Sequence, residues 1–102
     1  MQETKNPLEL IEVWKDHHDE YLALRKECKD LELDIEEEKL KIMTAEENKS
    51  LKVTERRDIA NKSVLSMQRE LIALDYTKSV AYAMAEKYER VLQFLLFRGD
   101  EE

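Results

Sequence analysis

Between Pro7 and Gly99 the sequence has no glycine and no other proline. Nothing in that interval frees or locks a backbone dihedral, so a helix that starts near one end meets no covalent obstacle before the other. The signals that begin and end helices sit at those two ends. Asn6 can cap, Pro7 suits a first helical position, and Glu9 falls where a capping-box carboxylate reaches back, which predicts a helix beginning near residue 7. Arg98-Gly99 supplies a cation for a last turn followed by a left-handed terminator.

The apolar pattern across that interval is helical. Leu10, Trp14, His17, Tyr21, Leu24, Cys28, Leu31, Ile35, Glu38, Ile42 and Ala45 alternate steps of four and three, the signature of a heptad seam. A second seam runs through Val64, Met67, Leu71, Leu74, Lys78, Ala81, Ala85, Tyr88, Leu92 and Leu95, one residue out of phase with the first. Extending the first frame puts Lys49, Lys52 and Arg56 on the seam, so strict heptads fail between about residues 46 and 60. An eleven-residue step bridges the gap through Leu31, Ile42, Val53 and Val64, as a continuous helix with locally relaxed supercoil would.

Continuity predicts one helix over about 7–98, weak in the middle. The same stretch also reads as a turn: Thr44-Ala45-Glu46-Glu47 fits a capping box, and Asn48 and Ser50 tolerate turns. Such a cap is worth about 1 kcal/mol, and keeping Thr, Asn or Ser inside a helix costs roughly 0.5 kcal/mol each. Neither local term decides. Either way residues 1–102 form a single all-α domain of long amphipathic helices. The expected architecture is an elongated coiled-coil homo-oligomer, with a helical hairpin or three-helix bundle turning near residues 44–50 as the alternative, the bundle adding a break near Asp75 to Ser79. Folding back near residue 51 lays 8–35 beside 64–97. An antiparallel dimer of straight helices makes the same pairing between chains, and a parallel dimer pairs each half with its own copy.

Composition agrees with this class and removes others. A 40% charged, 7% aromatic chain matches long helices and coiled coils, while 42% apolar content at helical spacing supplies surface to bury and argues against disorder. The net charge of -7 disfavours nucleic acid and anionic membranes as partners. Charge is unevenly placed: residues 1–35 hold 10 acids against 5 bases, and residues 36–62 hold 7 of each. The longest uncharged, mainly apolar run near either end, Val91 to Phe97, falls far short of the roughly 20 residues of a membrane span. MQETKN carries no signal-peptide core, and the lone Cys28 fits a reducing compartment, so a cytoplasmic or nuclear location is expected. No glycine-rich phosphate loop, catalytic triad or Cys/His ligand spacing is present. The chain is therefore expected to be no enzyme and to need no cofactor or metal.

What remains is association. The seam residues are the expected association surface, joining a homodimer or higher helical oligomer, with another helical protein as a further partner. From Val64 onward the apolar surface widens through Leu65, Ile72, Tyr76, Val80, Tyr82 and Met84, and near the end Val91, Phe94, Leu96 and Phe97 surround the seam. That width exceeds a two-stranded contact and marks Phe94 and Phe97 as a partner surface. Lys78 on an apolar seam either selects register or lays its stem along the seam with its ammonium in water. In Asp16-His17-His18-Asp19 the adjacent imidazoles point about 100° apart and cannot chelate one ion together. Three functions follow: a scaffold or adaptor that self-assembles, a compact monomeric bundle that binds a partner helix or peptide, and a pH or metal switch through the histidines.

Overall fold

The structure of the protein, a computed structural model, describes the backbone of residues 6–101 and the side chains of residues 6–96. It is all-α: α1 is Pro7–Met43, a 3₁₀ turn spans Glu46–Asn48, α2 is Val53–Ser63 and α3 is Leu65–Glu101. The chain divides into two compact units. One takes in the chain up to Arg25 and from Tyr76 onward (the terminal unit), and the other is Lys26–Asp75 (the central unit).

α1 starts where the sequence places it. The Glu9 amide donates to Asn6 Oδ1 at 2.9 Å and the Leu10 amide to the Asn6 carbonyl at 3.1 Å, so Asn6 is the cap and Pro7 the first helical residue.

The single helix expected over 7–98 is not what forms: α1 stops at Met43, and the chain takes the turn near residues 44–50. The eleven-residue stripe fails with it, since Val53 is exposed while Val64 is buried. The turn does not use the expected capping box either. Thr44 Oγ1 donates backward to the Leu40 carbonyl at 2.8 Å, and Ala45 and Lys52, the residues that precede the 3₁₀ turn and α2, make no side-chain cap bond. Thr44 thus closes a helix.

The other donors that close it come from further along. Asn48 Nδ2 donates to the Ile42 carbonyl at 2.8 Å, and an Arg56 Nη reaches the Met43 carbonyl at 3.3 Å. The last carbonyls of a helix lack intrahelical partners, and a left-handed residue usually helps to serve them. Among the described residues none has a positive φ; the Thr44 and Ala45 amides serve the Leu40 and Ile42 carbonyls at 3.0 and 3.3 Å, and the side-chain donors add to them.

In the central unit the chain then doubles back. Met67 lies beside Asp34, Glu38 and Lys41, and Leu71 beside Glu32, Ile35 and Lys39. Between α2 and α3 only Val64 leaves helical geometry (φ -99°, ψ 6°), and its amide still donates to the Ala60 carbonyl at 3.2 Å. Val64 is fully buried and Ala60 nearly so. Burying a valine side chain contributes about 1.5 to 3 kcal/mol, which outweighs one residue of lost helix regularity. No break occurs at Asp75 to Ser79, where α3 is continuous. Nor does Gly99 end α3, which runs on to Glu101; a helical glycine costs only about 1 kcal/mol relative to alanine and does not compel a stop.

Asn48→Asp keeps the side chain's shape but removes its donor. It is expected to lower stability by about 1 to 2 kcal/mol in urea unfolding followed by circular dichroism, with native helix content retained. An unchanged midpoint would mean that the Ala45 amide, 3.3 Å from the Ile42 carbonyl, and water serve that carbonyl at no cost.

Candidate functional site

Every position of both seams is buried or half-buried within the chain. Leu10, Cys28, Ile35, Val64, Ala81 and Ala85 are buried. Trp14, His17, Tyr21, Leu24, Leu31, Glu38, Ile42 and Ala45 of the first seam are half-buried, as are Met67, Leu71, Leu74, Lys78, Tyr88, Leu92 and Leu95 of the second. The helical periodicity read from sequence therefore selects the inward faces of α1 and α3. Those faces pair with each other inside the chain.

The terminal unit pairs the first part of α1 with the last part of α3. His17 and Tyr88 stack with ring centroids 5.5 Å apart and planes within 8°. Tyr21 and Tyr82 meet at 5.2 Å with a 59° tilt. Four residues forward on α1 thus correspond to six residues back on α3, and the two segments run antiparallel. His18 turns away from His17, as adjacent helical residues must, and stacks on Trp14 one turn earlier at 5.1 Å and 13°.

Ala85 lies with Trp14, His18, Tyr21, Tyr82, Glu86 and Glu89 around a partly open cavity of about 140 Å³. Trp14 Nε1 is buried with no hydrogen-bond partner. Lys87 Nζ lies 5.7 Å from the Tyr88 ring centroid, and Arg90 engages Glu86 one turn away. Tyr82 stands outside the strict heptad frame, and its part in this cluster is invisible to periodicity; its signal is the tyrosine placed next to a seam alanine.

A second apolar feature of the terminal unit is a groove lined by Pro7, Ile11, Leu92, Leu95 and Leu96. Phe94, expected at a partner surface, is exposed; the side chain of Phe97 lies outside the described residues. In the central unit Leu33 and Leu40 of α1 are exposed, each two residues from the nearest seam positions, and Leu65 and Ile72 of α3 are exposed although each adjoins a seam residue. Among the described residues no three His, Cys, Asp or Glu side chains come together as a metal group, and no helix is long and apolar enough to cross a membrane. No protein-family model matches the chain, no curated protein matches it, and no solved structure matches its fold.

Burial of Cys28 within the central unit gives a direct check on the pairing. Alkylation by iodoacetamide is expected to be at least about tenfold slower in the folded protein than in guanidinium chloride, because the thiol reacts only when its surroundings open. Equal rates would place Cys28 on an open surface.

Proposed function

We propose that the chain is a non-enzymatic association module, a scaffold or adaptor that pairs its own helices through the two seams and self-assembles through the apolar residues left outside them. The observation that carries this reading is the second set of apolar positions. Isolated exposed leucines are ordinary on any protein. Here, however, Ile72 and Tyr76 are 70% and 72% exposed one turn apart on α3, and Leu33 and Leu40 are 61% and 64% exposed a heptad apart on α1. Each helix is thus apolar on more than the face it buries.

A helix pair is a small structure in which to bury a core, and a second layer of helices is the usual solution for apolar surface on both sides. A second copy supplies such a layer with no further gene product, and helical homo-oligomers most often close as twofold dimers. The alternative is a monomer that receives a partner helix; the groove of Pro7, Ile11, Leu92, Leu95 and Leu96 favours that reading, since helix-in-groove recognition uses an apolar slot of this kind.

Sedimentation equilibrium over a wide concentration range separates the two. Self-assembly predicts a mass that rises with concentration, and Ile72→Glu combined with Leu33→Glu is expected to raise the dimer dissociation constant by about 100-fold or more while leaving the helical circular dichroism intact. A monomer mass at every concentration would reject self-assembly and leave the groove as the association site.

A further inference from the structure

We propose that the terminal unit contains a binding site for a methylated ammonium cation, formed by Trp14, Tyr21 and Tyr82 with the carboxylates of Glu86 and Glu89. This goes beyond association and does not depend on it.

The site exists because of a mismatch in side-chain size. Ala85 is too small to fill the space beside the Trp14 and Tyr21 rings, and about 140 Å³ stays unfilled there. A void of about 150 Å³ accommodates a benzene-sized guest, and a trimethylammonium head is of that order. The walls match such a guest in chemistry as well. Aromatic faces attract cations through the ring quadrupole, and the Tyr21 and Tyr82 rings, inclined at 59°, form two walls of an angle rather than a flat stack. The imidazole stacked on Trp14 holds the indole in place as a further wall.

The surrounding charges select for a cation. Glu86 and Glu89 line the same cavity, Glu86 being shared with Arg90. A neutral apolar guest would cover part of these carboxylates with nothing to offset their lost hydration, whereas a cation does. Methylation matters because a bare ammonium is strongly hydrated and donates directional hydrogen bonds, while a methylated one presents a diffuse charge on an apolar surface that suits rings. That rings of this unit accept cations is visible a short distance along α3, where Lys87 Nζ approaches Tyr88.

Trp14 is the chain's single tryptophan, so its fluorescence reports the site without a label. The whole protein is titrated with tetramethylammonium chloride and with choline, against sodium chloride at equal ionic strength and against 3,3-dimethylbutan-1-ol, the neutral isostere of choline. Saturable quenching or shift with a dissociation constant of about 1 mM is expected for both cations and not for salt or the alcohol. Tyr82→Ala is expected to weaken binding about tenfold or more, Tyr82→Phe to retain it, and Glu89→Gln to weaken it severalfold. Tyr82 and Glu89 are both exposed, and unchanged circular dichroism verifies the fold of each variant. A peptide carrying trimethyl-lysine, compared with its unmethylated form, distinguishes a modified protein from a free quaternary amine as the source of the cation; tighter binding of either supports the site. No saturation by either cation, equal binding of the alcohol, or undiminished binding by both Tyr82→Ala and Glu89→Gln would overturn it.

Discussion

The fold turns on who serves the last carbonyls of α1. A helix of 37 residues ends at Met43 with no glycine, no proline and no left-handed residue to end it. At its end the Thr44 and Ala45 amides serve the Leu40 and Ile42 carbonyls, and three side-chain donors add to them: the Thr44 hydroxyl, the Asn48 amide and the Arg56 guanidinium. Each bond is worth on the order of 1 kcal/mol net, and Arg56 reaches the helix only after the chain has already reversed. The corner and the reversal are therefore mutually dependent. Once made, the reversal brings Met67 and Leu71 to the Ile35 face of α1, and seam burial adds what the corner alone lacks.

This cooperation explains which parts of the structure are legible in the sequence. Helix start at Asn6 and Pro7 is local, with donor and acceptor three residues apart, and it reads directly. The seams are periodic over several turns, and their inward direction survives intact, from Leu10 to Ala45 and from Val64 to Leu95. The turn reads only as a balance of small terms, because the decisive contact of Arg56 with the Met43 carbonyl joins residues 13 apart. Val64 is harder still: its departure from helix is repaid by burial that no local propensity measures. The eleven-residue spacing was a real periodicity with the wrong physical cause, since Val53 occupies an exposed first turn of α2 rather than a continued stripe.

The aromatic cluster illustrates the same limit from the other side. Heptads place Trp14, Tyr21 and Tyr88 on inward faces but do not say which residue faces which. His17 opposite Tyr88, and Tyr82 opposite Tyr21, follow from the antiparallel register. The cavity beside Ala85 needs one further fact, that an alanine meets two large rings where a leucine would have filled the space. Composition, charge and periodicity cannot encode that coincidence singly.

The central hairpin has a topological consequence. Its helix-to-helix contacts are made between segments of one chain, but nothing in a seam records which molecule supplies either side. Were the corner to straighten in two molecules at once, each α1 segment would find the other's α3 segment with every seam contact preserved, the arrangement known as a domain-swapped pair. Against such an exchange stand the corner's few hydrogen bonds and the high effective concentration that a short connection imposes. In this structure residues 44–52 form the corner that lets the helices of the central unit pair within one molecule.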